Sequence, residues 1–133
     1  MSSTTPVKQF FSAFGKGDVD GVVSAFTPDA TITAVRAGAR PHGELHGTYV
    51  GTAGVHEFLA AMGTTLDTKA FTVDVIAGDG DVAFAKGAFT HIVKRTGRPF
   101  QSDWALMCRV RDGRIAEFRF FEDSAAFVAA SAP

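Results

Sequence analysis

Cysteine is almost missing from this chain of 133 residues, where Cys108 stands alone. A single thiol excludes an intrachain disulfide framework and a cysteine-based zinc site. Positive charge is not in excess either: 13 Lys and Arg stand against 14 Asp and Glu, for a formal net charge of −1 at pH 7. A nucleic-acid-binding surface needs basic residues gathered on one face. The two loose basic groups here, Lys94-Arg95-Arg98 and Arg109-Arg111-Arg114, flank predicted turns and read as solvated charge, so no nucleic-acid partner is expected. No stretch approaches the roughly 20 consecutive apolar residues that cross a bilayer. The opening MSSTTPVKQF has neither the basic start nor the apolar run of a secretion signal. A cytoplasmic chain without a membrane partner is the expectation. Internal repeats, low-complexity segments and linkers are also lacking, so residues 1–133 read as one domain with a single core.

Phenylalanine is what the chain has instead, with 13 Phe against one Tyr and one Trp. Phe carries large apolar area and no polar tip to satisfy. A short chain this rich in it builds either a bulky core or an apolar cavity. Val7, Phe10, Phe11 and Phe14 recur at helical spacing after Pro6, and Gly15 and Gly17 stop that helix. Asp18 caps a second short helix, with Val19, Val22, Val23 and Phe26 on its buried side. Thr31 to Val35 is rich in β-branched residues and predicts a strand. Residues 36–47, RAGARPHGELHG, read as a loop, and Thr48 to Val50 as a short strand. Gly51 breaks the chain, Thr52 caps, and Val55, Phe58, Leu59 and Met62 mark a third helix. Strands are predicted over 71–76, 82–94, 100–111 and 114–122. Turns at Gly78-Asp79-Gly80-Asp81, Thr96-Gly97 and Asp112-Gly113 join them. Asp123 or Ser124 caps a last helical turn through Phe127. Helices first and a strand meander after predict an α+β fold, with helices on one face of a sheet.

The turns suggest which side chains share a face. Pairing Arg95 with Arg98 sets His91 opposite Ser102, Phe89 opposite Trp104 and Gly87 opposite Leu106, all on one face. For the second hairpin, a two-residue loop puts Leu106 opposite Arg119. A three-residue loop bulged at Gly113 puts Leu106 opposite Phe118, Trp104 opposite Phe120 and Ser102 opposite Glu122. The second arrangement is preferred because it keeps Phe118 and Phe120 inside and Arg119 outside. The inner face is then apolar, with His91, Ser102 and Glu122 gathered at one end. Asp103 and Arg119 fall outside as an ion pair.

Four stretches carry a family resemblance: FFSAFGKGDVDGVVSAFTPDATI, HGTYVGTAGVHEFL, VIAGDGDVAFAKG and SDWALMCRVRDGRIAEFRFFED. Their order and spacing resemble the SnoaL-like proteins of the NTF2-like superfamily, which includes polyketide cyclases, ketosteroid isomerases and limonene-epoxide hydrolases. The resemblance implies a cone: a strongly curved antiparallel sheet wrapped around three helices of the N-terminal half. It also implies a homodimer through the outer sheet face and no cofactor. The isomerases' tyrosine, base and protonated-acid positions fall at Phe10, Ala34 and near Leu106, all apolar. The epoxide hydrolases' set falls near Gly87, Phe89 and Phe120, and is likewise missing. A cyclase-type acid fits only Glu122.

Glu122 and His91 are therefore the candidate catalytic residues, since a carboxyl and an imidazole at one end of an apolar face can act as general acid and base. Phe10, Phe14, Ala34, Tyr49, Phe58, Met62, Phe89, Ser102, Trp104, Leu106, Phe118 and Phe120 are the candidate ligand pocket, with His46 or Tyr49 at its mouth. His42, Glu44 and His46 alternate in the loop but lack a fourth partner, so no metal is expected. Cys108 reads as a small core residue. Three functions fit these features: an isomerase, cyclase or hydrolase acting on a hydrophobic ring compound, a non-catalytic binder of a hydrophobic metabolite, and a dimeric interaction module.

Overall fold

The computed structural model describes residues 2–133. Helix α1 spans Thr4–Lys16 and ends at Gly17, whose φ of 68° is the left-handed cap that closes a helix. Helix α2, Val19–Ser24, starts where the Asp18 carboxylate accepts the Gly21 N–H at 3.0 Å. It buries Val22, while Val19 is exposed rather than packed, because so short a helix turns only one narrow side to the core. Strand β1 runs Phe26–Ala34 and β2 Gly47–Val50. Helix α3, Gly51–Thr65, follows directly. Four strands come next: β3 Leu66–Asp79, β4 Val82–Val93, β5 Arg98–Arg111 and β6 Arg114–Glu122. Helix α4, Ser124–Ser131, is capped by Asp123, which accepts the Ala126 N–H at 3.0 Å. No helix among the described residues is long and apolar enough to cross a membrane.

The six strands form one sheet in the order β2-β1-β6-β5-β4-β3. It is mixed rather than antiparallel, because β1 lies parallel to β6, and it is not strongly curled. Hairpin turns announce only neighbours in sequence, so the β1–β6 pairing left no turn signal. Helices α1, α2 and α3 come from the N-terminal half, and the core between helices and sheet is a Phe cluster. Phe10 meets Phe26 at 5.8 Å and Phe118 at 5.0 Å between ring centres, and Phe58 meets Phe118 at 6.0 Å.

Both hairpins differ in register from the sequence reading. The β4–β5 pair closes at Val93 opposite Arg98, through a four-residue turn. Phe89 therefore faces Ser102, Gly87 faces Trp104, and His91 faces Phe100. A slip of two residues leaves every side chain on its expected face. The β5–β6 turn is the tight one: Asp112 and Gly113 both have positive φ, 54° and 75°, as a two-residue type I′ hairpin requires. The extra residue sits inside β6 instead, at Ala116, between Val110 opposite Ile115 and Arg109 opposite Glu117. This bulge restores the inward direction of Phe118 and Phe120, but sets Leu106 opposite Phe120 and Trp104 opposite Glu122. Asp103 and Arg119 do not pair. Lys86 Nζ lies 3.4 Å from the Asp103 carboxylate, and the Arg119 guanidinium lies over the Phe121 ring.

Candidate functional site

A cavity lies between the helices and the inner sheet face. Phe10, Phe11 and Phe14 of α1 and Phe58 and Met62 of α3 form one wall. Ala34, Leu66, Phe71, Phe89, Phe118 and Phe120 form the other, with His91, Glu122, Leu45 and His46 at the polar end. The closed interior among these side chains is narrow, about 30 Å³, and widens at its mouth.

Eight of the sequence-inferred pocket residues stand on this wall: Phe10, Phe14, Ala34, Phe58, Met62, Phe89, Phe118 and Phe120. Tyr49, Ser102, Trp104 and Leu106 do not. Tyr49 is a buried post for the loop before it: its hydroxyl donates to the Leu45 carbonyl at 2.6 Å, and the Arg40 guanidinium lies 3.8 Å over its ring. The Ser102 hydroxyl accepts the Asp123 N–H at 3.0 Å and so fixes the start of α4. Trp104 stacks behind the cavity wall on Phe71 and Phe120, at 5.2 and 5.4 Å. Leu106 is buried beyond Phe120. Phe11, Leu45, Leu66 and Phe71 were missed as lining residues. Phe11 and Phe71 lay on predicted elements and needed only a decision about face, whereas nothing local marked Leu45.

Glu122 sits at the end of β6, where its side chain is 8% exposed. Its partner is His46 rather than His91: His46 Nε2 and Glu122 Oε2 are 3.2 Å apart. The His46 ring also lies 4.6 Å from that of Phe127 on α4. A carboxylate held by one imidazole at the rim of a Phe-lined cavity can take a proton from a bound molecule and return it.

His91 enters the same cavity from β4. Its Nδ1 is 2.9 Å from the Thr68 hydroxyl, and Nε2 has no hydrogen-bond partner among the described residues. Burial pushes its pKa down from 6.5 to about 4, so the ring is neutral at pH 7. A depressed histidine contributes stability that is complete above pH 6.5 and is lost as pH falls toward 4, because only the unfolded chain takes up the proton. Between pH 7 and pH 4.5 the protein should lose about 2–3 kcal/mol from this group. His91→Gln should lose correspondingly less over the same interval. Urea unfolding at both pH values checks this, and equal losses in the two proteins would rule out the assignment.

Cys108 is fully buried and burial raises its thiol pKa, as in an inert core residue. Among the described residues no three His, Cys, Asp or Glu side chains gather as metal ligands would.

The architecture defines the class first: helices against one face of a six-stranded mixed sheet, as in NTF2-like proteins. An NTF2-like protein from Burkholderia thailandensis E264 superposes with a TM-score of 0.86 at 24% identity, covering 100% of this chain and 99% of that one. TerC, co-crystallised with polyporic acid, superposes with a TM-score of 0.80 at 23% identity, covering 96% of each chain. The sequence pattern of the SnoaL-like domain matches residues 7–118, and the chain belongs to that family. Patulin synthesis protein F of Aspergillus clavatus is 35% identical over 78 residues, which are 58% of this chain and 39% of that protein. The chain thus matches well under half the length of that relative.

Proposed function

We propose that the chain is a cofactor-independent acid/base enzyme of the isomerase or cyclase type, acting on a small hydrophobic ring compound. The observation that carries this reading is the Glu122–His46 pair at the rim of an otherwise apolar cavity. Glu122 is the base. It removes a proton from the carbon beside a ring carbonyl; the C–H electron pair forms a C=C bond as the carbonyl π pair moves to oxygen, which gives an enolate. Neutral His91, with Thr68 donating to Nδ1, offers its Nε2–H to that oxygen. Protonation at another carbon completes an isomerisation, and attack of the enolate carbon on a second carbonyl completes a cyclisation. Phe10 and Ala34 stand on the cavity wall and Leu106 is buried beyond it, so the acid/base positions of the related isomerases offer no competing base. The relatives' links to patulin synthesis and polyporic acid fit a cyclic, unsaturated ligand.

Hydrogen–deuterium exchange tests it. Proton NMR in D₂O should show the protein accelerating exchange beside the carbonyl of 2-cyclohexen-1-one or 1-tetralone. The second reading, a non-catalytic binder, is favoured by the apolar character of Phe10 and Ala34. It predicts ketone binding with exchange no faster than in buffer, and that result would refute the enzyme reading.

The same proposal includes a homodimer through the outer sheet face, where Val75, Phe84 and Phe121 stand 52%, 51% and 44% exposed. Sedimentation equilibrium should give a dimer that Phe84→Glu converts to monomer. A monomeric native chain at tens of micromolar, on the order of the concentrations used in such runs, would sink the idea.

A further inference from the structure

Beside the closed cavity lies a larger hollow of about 670 Å³, between the end of α3, the loop after β1 and α4. Ligand sites commonly measure roughly 300–1,000 Å³. The hollow falls in that range, and the closed interior of the cavity does not. The two spaces are adjacent: Leu45 and His46 line both. These two residues are the partition. His46 is held from the inner side by Glu122 and from the outer side by the Phe127 ring. The loop carrying the partition leaves the sheet at Val35, φ 67°, and returns at Gly47, φ 147°. A β-branched residue such as Val35 rarely adopts the left-handed region, so that end of the loop is held in a strained conformation.

We propose that the hollow is a second subsite of the same ligand site, joined to the cavity when His46 turns away from Glu122. The ligand is then an elongated, largely apolar molecule in two parts. One ring enters between the cavity phenylalanines, which part to admit it, with its reactive edge at Glu122. The second apolar group lies in the hollow against Val93, Phe127 and Val128, with the hydroxyls of Thr64 and Ser124 at the rim. Turning His46 outward joins the spaces and releases the Glu122 carboxylate to the ligand in one movement. The inference rests on the reading of the inner cavity as a ligand site.

The test compares a short probe, 1-naphthylamine, with a long one, N-phenyl-1-naphthylamine. Trp104, the one tryptophan of the chain, lies behind Phe71 and Phe120, so quenching of its emission reports cavity binding. Val128→Arg and Thr64→Arg fill the hollow from opposite sides, at exposed positions where the fold tolerates them. Each should weaken the long probe about tenfold or more and leave the short probe within about twofold. Unchanged long-probe affinity, or equal weakening of both probes, would overturn the second subsite while the inner cavity reading stands. A native protein that binds the short probe alone would overturn the second subsite in the same way. A native protein that binds neither overturns both.

Discussion

Replacing Glu122 with glutamine should lower the rate of exchange beside a bound ring carbonyl by about 10²–10⁴-fold, the usual contribution of a positioned general base. Glutamine has nearly the same shape, so the cavity keeps its lining. The amide oxygen can still accept a hydrogen bond from the His46 ring, and the partition keeps its place. What disappears is the ability to take a proton. The loss should therefore fall on turnover, with ketone binding near that of the native protein. His46→Ala separates the two jobs of the pair. It leaves the carboxylate in place and removes its partner, so turnover should persist while quenching of Trp104 by the long probe develops faster. Exchange rates in D₂O, followed beside ketone titrations, read both quantities. A Glu122→Gln protein that exchanges the ketone at the native rate would place the base elsewhere and end the role assigned here.

Most of the site was legible because its contributors obey short-range rules. The α1 wall follows from helical spacing of Phe10, Phe11 and Phe14. The β4 and β6 parts of the sheet wall follow from alternation along those strands, which survived wrong registers because the errors were of two residues. Glu122 was thus placed at the inner face from sequence, although its cross-strand neighbour is Trp104 and not Ser102. The Thr96-Gly97 signal marked a turn but did not fix its length, and Asp112-Gly113 hid a bulge three residues later at Ala116. Other features had no local cause. The parallel pairing of β1 with β6 joins segments far apart in sequence, and the mixed sheet follows from it. Strand β3 is an edge strand with irregular exposure, so its period-two pattern covers only part of its length. His46 reaches Glu122 from a loop with no periodicity. Its path is set by side-chain contacts within the loop and to β2 that no periodicity signals: Arg40 over Tyr49, Arg40 with the Glu44 carbonyl, and the Gly38 N–H on the Thr48 hydroxyl. The partner of the candidate base was legible only as one residue in a row of alternating His and Glu.

The largest expected effect on stability comes from Gly87→Ala. Gly87 lies in the middle of β4, opposite Trp104 on one side and Val73 on the other. Its φ lies outside the left-handed region, so alanine costs nothing in backbone conformation there. The obstacle is space. A Cβ at this position would stand 1.8 Å from the Thr72 carbonyl oxygen and 2.6–2.7 Å from Cζ2 and Cε2 of Trp104. One obstacle is backbone of the neighbouring strand, and the other is a rigid ring packed against Phe11, Phe71 and Phe120. The indole N–H has no hydrogen-bond partner among the described residues, so packing alone holds the ring. Either β3 moves off β4 or Trp104 leaves its slot, and the second movement also displaces the cavity wall formed by Phe71 and Phe120. Overpacking of this kind costs about 3 kcal/mol or more, which lowers Tm by roughly 10 °C in a domain of this size. Trp104 emission should shift to the red as the ring gains solvent. Gly15→Ala is the matched control, since nothing lies within 4 Å of a Cβ there and the position is inside α1. Alanine should stabilise that site by about 0.5–1 kcal/mol. Thermal unfolding followed by circular dichroism orders the three proteins. A Gly87→Ala variant melting with the native chain would show that β3 and Trp104 yield freely, and the aromatic wall behind the cavity would then be soft rather than fixed.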